Sequence, residues 1–163
     1  PLDDEQEYQC NLLIDEKLQE LGFDKYEVSN YAKKGYESKH NLVYWHFENY
    51  YGVGLGSCGK NNHQIIEHSR SLTKYLNGDF KTITIEQSKE EMMFDQVMMS
   101  LRLVEGLNLE VFKERYQEDA LEIYQDAIDK NKKEGRLVIE DNFLKATKEG
   151  LYVLNDILVD FMK

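Results

Sequence analysis

The sequence predicts an α+β chain in which half of a β/α repeat precedes a winged-helix-like helical unit. An amphipathic stretch over 4–21 runs into a glycine and then into the alternating Lys25-Tyr26-Glu27-Val28-Ser29, which reads as helix, tight turn and strand. From residue 88 onward three helical patterns, a hairpin and a closing helix follow one another. With 41% hydrophobic residues the chain has enough apolar material to bury a core.

Asp3 and Asp4 complement the N-terminus of the first helix, Leu12, Leu13, Leu18 and Leu21 supply its apolar positions, and Gly22 is a left-handed stop. One half-repeat cannot bury its own strand, so the strand at 25–29 is expected to be the tail of a larger sheet. From Ala32 to Gly59 aromatics are dense, and Gly52-Val53-Gly54-Leu55-Gly56 predicts an extended segment whose backbone something approaches closely. Asn61-Asn62 reads as a turn, Gln64-Ile65-Ile66 as a short strand, and Ser69 to Leu76 as a brief helix stopped by Asn77-Gly78. Residues 81–87 read as a linker, which divides the chain into units 1–80 and 81–163.

Ser88 with Glu91 forms a capping box for a helix over 88–104. Asn108 caps a shorter helix through Tyr116, a third helix spans 119–134 and stops at Gly135, and Glu140-Asp141-Asn142 turns a hairpin. Thr147 caps the last helix, with Leu151, Leu154, Leu158 and Phe161 inward.

Winged helices often bind DNA, but the charge opposes it. The chain carries 20 Lys+Arg against 31 Asp+Glu, a net of -11, and residues 86–163 hold 11 basic and 18 acidic residues. The third helix carries Glu122, Asp126 and Asp129, with Lys130, Lys132 and Lys133 bunched at its C-terminal end, where they suit the helix dipole. No nucleic-acid partner is expected. No run approaches the ~18 apolar residues of a transmembrane segment. Cys10 and Cys58 alone cannot hold a zinc ion or an iron–sulfur cluster, and fit a reducing, cytoplasmic setting.

Of the four histidines, none has a partner at metal-site spacing on a helix. His40 stands apart through its company, His40-Asn41-Leu42-Val43-Tyr44-Trp45. An imidazole beside an amide and two aromatics can ligate the iron of a flat macrocycle and stack against it; an aromatic mini-core with Asn41 capping a turn fits equally well. The glycine run lacks both the dinucleotide and the Walker patterns. Cys58 reads as a reactive thiol, a soft ligand or a small buried residue, and the last is favoured.

In order and spacing, Tyr26-Glu27-Val28-Ser29-Asn30-Tyr31-Ala32, Gly35, Ser38, His40-Asn41, Tyr44-Trp45 and Tyr51-Gly52-Val53-Gly54-Leu55-Gly56 resemble the downstream half of the oxygen-independent coproporphyrinogen III oxidase-like radical-SAM proteins. Leu101-Arg102, Glu105-Gly106 and Thr147-x-x-Gly150-Leu151 look like the same family's C-terminal domain. The resemblance implies a radical-SAM β/α barrel with S-adenosylmethionine and a [4Fe-4S] cluster on a Cys-x-x-x-Cys-x-x-Cys string, which is absent here. The chain is therefore expected to be a C-terminal piece carrying a remnant barrel edge, with no catalytic residue or cluster of its own. The His-Asn-x-x-Tyr-Trp string implies the heme-chaperone branch. By that likeness His40 contacts heme iron, Asn41, Tyr44 and Trp45 shape its surroundings, Gly52, Gly54 and Gly56 count among the cofactor-binding positions, and the partners are heme and heme-acceptor proteins. The alternative is oxidation of coproporphyrinogen III to protoporphyrinogen IX. Where the family continues its glycine run with Ala-His, this chain has Ser57-Cys58.

Overall fold

A computed structural model describes residues 3–162; Pro1, Leu2 and Lys163, the outer ends of the two expected units, lie outside the described residues. Asp3 accepts the backbone N–H of Gln6 at 2.8 Å while the Gln6 side chain accepts that of Asp3, a capping box that opens α1 (Asp4–Glu20). The expected strand at 25–29 splits. β1 (Asp24–Lys25) pairs antiparallel with β2 (Tyr31–Ala32), and between them the chain turns toward a partner far along the sequence. Glu27 bridges Leu103, the Val28 N–H donates to Arg102 O at 3.0 Å, and the Val104 N–H donates to Tyr26 O at 3.1 Å. A short strand needs a neighbour for its backbone groups, and here a distant segment of the same chain supplies it.

α2 (Lys39–Trp45) follows, then an antiparallel meander of β3 (Cys58–Asn61), β4 (Gln64–His68) and β5 (Thr82–Glu86), with α3 (Leu72–Leu76) between the last two. The expected linker at 81–87 is thus mostly strand. Thr82-Ile83-Thr84-Ile85 has the period of two, and Ile85 lies opposite Ile65. The Gly52–Gly56 run is not extended, because Gly54 and Gly56 both adopt positive φ.

The capping box of Ser88 and Glu91 opens α4 (Lys89–Ser100). This helix stops short of 104 because residues 102–104 pair with 26–28 and the wholly buried Leu101 and Leu103 turn inward. β6 (Leu107–Asn108), α5 (Leu109–Tyr116), α6 (Ala120–Ile123) and α7 (Gln125–Lys133) come next. The expected third helix is broken at Tyr124, whose ring is buried against Phe161, 5.3 Å between centroids. β7 (Leu137–Glu140) and β8 (Phe143–Ala146) form the hairpin, its turn built on Asp141 and Asn142, both left-handed. The last helix is likewise two, α8 (Lys148–Tyr152) and α9 (Leu154–Phe161).

The sheet order β6-β8-β7 with helices before, between and after it is the winged-helix arrangement. Its core is Val97, Leu101, Leu107, Phe112, Leu144, Ile157 and Phe161, each at most 1% exposed and each contributing about 2 kcal/mol by burial. Among the described residues before β5, the buried apolar side chains are Ala32 and Phe47. The first half is held to the second by polar ties. Asp15 on α1 accepts the hydroxyls of Tyr31 and of Tyr152 on α8, and Lys25 Nζ lies 3.0 Å from it.

Candidate functional site

Four of the expected site residues share one short helix. Ser38, not Asn41, caps it: its hydroxyl accepts the Asn41 N–H at 3.4 Å. Positions four apart fall on one face, so His40 meets Tyr44. Their rings stand edge to face, 4.9 Å between centroids, with His40 Nε2 3.1 Å from the Tyr44 hydroxyl. Tyr44 meets Tyr50 in the same manner at 4.5 Å, and the Tyr50 hydroxyl lies near the Cys58 thiol, which itself donates to Gly59 O at 3.8 Å. The result is a ladder from His40 through two tyrosines to Cys58, with His40 and Cys58 exposed at its ends. The reading of Cys58 as a buried residue is corrected: on the short edge of β3 its side chain reaches the surface. Burial first, then the neighbouring Cys58, push the Tyr50 hydroxyl up to about 12, so this hydroxyl stays protonated at neutral pH.

The glycine run is an arch from Tyr50 back to β3. A Cβ on Gly52 would lie 2.3 Å from Cys58 O, so the close approach read from the sequence is made by the chain itself. Gly54 O accepts both the N–H and the hydroxyl of Ser57, which closes the arch. The arch carries Tyr51 and Val53, 91% and 89% exposed.

Trp45 faces elsewhere. Its carbonyl accepts the Ser100 hydroxyl, the Arg102 guanidinium lies 5.8 Å over its ring, and its indole N–H is buried without a partner. Beneath it Glu27, wholly buried, accepts the Ser29 N–H and attracts Arg102. Burial pulls the Arg102 guanidinium down from its usual value and Glu27 opposes this. Trp45 thus docks α2 onto α4, while His40 and Tyr44 form the outward face. Sequence reasoning missed the buried carboxylate of Glu27, one oxygen of which has no hydrogen-bond partner, and its attraction to Arg102, although both residues stand in the strings that carry the family likeness.

Among the described residues no group of three His, Cys, Asp or Glu could hold a metal ion. His46 pairs with Glu105 and His63 with Glu86, and Lys130 at the end of α7 is committed to Asp160 at 2.7 Å. With Cys10 on α1 and Cys58 on β3, the thiols present do not fit a four-iron cluster. No helix among the described residues is long and apolar enough to cross a membrane.

Residues 87–153 match the family model described as the HemN C-terminal domain. A solved structure described as coproporphyrinogen III oxidase (HemN) from Escherichia coli, a radical SAM enzyme, superposes with a TM-score of 0.72 over 98% of this chain and 42% of that one; at 11% identity the likeness is one of fold. The chain is thus similar to proteins that carry this domain, over residues 87–153. Relatives that cover most of the chain bear the name heme chaperone: HemW of Buchnera aphidicola from Acyrthosiphon pisum is 34% identical over 94% of this chain, and HemW of Bacillus subtilis is 27% identical over 97%. The chain spans 42% and 43% of the length of these two relatives.

Proposed function

We propose that the protein binds heme and delivers it to acceptor proteins in the cytoplasm, with His40 as the iron contact, Asn41, Tyr44 and Trp45 shaping that face, and the Gly52–Gly56 arch beside it. The observation that supports this reading best is the exposed His40 at the head of the Tyr44–Tyr50 ladder, with the exposed Tyr51 and Val53 following Tyr50 in the chain. The names of the relatives point the same way. Heme is cargo here, and this chain's part is to present one imidazole and an apolar rest for the ring. We also place the boundary between the two units at Gln87, after β5, rather than at residue 80. S-adenosylmethionine and the [4Fe-4S] cluster belong, in this reading, to the rest of the protein.

Titration of the whole protein with hemin tests the proposal. His40→Ala is expected to abolish the shifted Soret band; an unchanged spectrum removes His40 from the role. Tyr44→Phe discriminates further. The Tyr44 hydroxyl occupies Nε2, the nitrogen that iron would take, so removing a bond of about 1 kcal/mol should tighten heme binding roughly fivefold. The rival activity, conversion of coproporphyrinogen III to protoporphyrinogen IX, is supported by the fold likeness to HemN alone. Its absence in an anaerobic assay of the whole protein excludes it.

A further inference from the structure

We propose that Lys60 and Arg115 form an oxyanion site, and that the cavity they face takes the carboxylate of a ligand with a ring-sized apolar body. The cavity, about 770 Å³, opens between Phe47–Asn49, the β3–β4 turn and helices α4 and α5. That volume is in the range of small-molecule pockets.

Two cations converge in it on a single acceptor. Lys60 is 7% exposed, its Nζ donates to Phe47 O at 3.4 Å, and it sits 4.0 Å above the Phe47 ring. Arg115 donates to the same carbonyl at 3.3 Å and to Gln96 Oε1 at 2.7 Å. Among the described residues neither cation has a carboxylate partner within ion-pair distance. Asp95, the carboxylate that attracts Lys60 through space, is held by Gln87 Nε2 at 2.7 Å. Burial, and secondarily Arg115, pull the Lys60 ammonium down from its usual value. Arg115 is exposed at the mouth of the cavity and solvated there, whereas Lys60 is buried, and one carbonyl dipole does not compensate a buried ammonium.

The carbonyl itself is aimed there against preference. Phe47 is 6% exposed and left-handed, φ +57°, a conformation costly for an aromatic residue. Phe47 is the residue just past the C-cap of α2, and the Glu48 N–H on Val43 O closes that helix stop and holds the strain. Of the other polar groups around the cavity, Lys89 is engaged with Glu118, His63 with Glu86, Asn62 with Asn49 and Gln117 with Glu114 O, while the carboxylate of Glu48 stands exposed at its edge. The Tyr116 hydroxyl is spent on Met92 O, which leaves its ring and the Met92 side chain as an apolar floor. An ammonium has three donors and a guanidinium five, so several N–H groups here have no partner in the fold. A carboxylate set on an apolar ring satisfies both the donors and the floor.

The inference is independent of the heme reading, because it uses neither His40 nor the ladder. Three probes test it on the same chain by titration calorimetry: 2-naphthoate, 2-naphthyl phosphate and the neutral 2-naphthamide. Naphthoate is expected to bind, with naphthamide at least tenfold weaker. Lys60→Met and Arg115→Gln should each weaken naphthoate at least tenfold, Arg115→Lys should retain part of the affinity, and His40→Ala should leave it unchanged. Lys60→Met keeps the side-chain volume and removes a buried charge, so its melting temperature is expected at or above that of the parent, which separates lost binding from lost folding. Equal binding of naphthamide, parent-like affinity in both charge-removing variants, or no binding of naphthoate would overturn the site. Phosphate bound tenfold more tightly than carboxylate would overturn the carboxylate assignment.

Discussion

Gly106→Ala is expected to cost more than about 4 kcal/mol, enough to unfold the helical half at ordinary temperature given a total stability of roughly 5–15 kcal/mol. Gly106 has φ +80°, where an L side chain costs about 1–2 kcal/mol by itself. The greater cost is steric. A Cβ there would lie 2.2 Å from Leu144 O and 2.9 Å from Leu144 C, which is backbone of the central strand and cannot swing aside. Relief requires β6 to part from β8, where Leu107 pairs with Leu144 and both side chains are wholly buried. Gly135→Ala is the control. It has nearly the same dihedral, φ +72°, with nothing within 4 Å of its would-be Cβ, so it should cost only the roughly 1–2 kcal/mol of backbone strain. Thermal melts of the two variants side by side decide it; equal melting temperatures would show that the approach to Leu144 is not what demands glycine.

Asp15→Ala should lower stability by about 3 kcal/mol, a fall of roughly 6–12 °C in melting temperature. The carboxylate accepts from Tyr31 and Tyr152 and pairs with Lys25, with Lys148 Nζ 3.8 Å away; the Asp15 and Lys25 side chains are only 13% and 16% exposed. Alanine strands two hydroxyls and an ammonium in that setting. The pH dependence has a defined sign. Burial raises the Asp15 carboxyl, but hydrogen bonds from Tyr31, Tyr152 and Lys25, with the charge of Lys25, bring it below the usual value. A lowered folded-state value gives stability that is present above the unfolded value near ~4 and lost as pH falls through the folded one. The difference between parent and variant should therefore be flat from about pH 5 to 8 and shrink below about pH 4. Tyr31 and Tyr152 are both raised, by burial first and then by Asp15, so the same tie also weakens as pH rises above about 10. Urea denaturation across pH measures both limbs.

Much of the helical half is legible in the sequence because its signals are local. Ser88, Asn108 and Thr147 each cap the helix that their residue type and spacing predict, and Asp141-Asn142 turns the hairpin. The breaks at Tyr124 and Val153 are not legible: both arise where a helix bends around a core, and neither residue is a helix breaker by type. β6 escapes a reading by period because two residues show none. In the first half the Thr-Ile alternation of β5 reads as a linker, its apolar side chains being exposed in the structure as well. The pairing of 26–28 with 102–104 spans more than seventy positions, and no local pattern announces it. At the site, His40, Asn41, Tyr44 and Trp45 are singled out as a string, but the helix that sets His40 against Tyr44 is not read from the aromatic-dense stretch around it. The meeting of Tyr50 with Cys58 requires the arch, and a lysine in a strand reads as solvated, so Lys60 gives no sign of its burial.

The uneven burial has a consequence for motion. The large apolar core lies within residues 93–161, while α1, α2 and the meander are fastened by the Asp15 tie, the backbone bonds at 26–28 and 102–104, and the shared Phe47 carbonyl. Opening the first half forfeits those fastenings together with the seat of Trp45 on α4 and of Val28 on the core, and leaves the core itself closed, so two tiers of local unfolding are expected rather than one. His40 and the aromatic ladder sit on the lower tier. A ligand held there would slow amide exchange in α2 and the arch and leave α4 to α9 exchanging at their own pace, a coupling between binding and order confined to one half of the molecule.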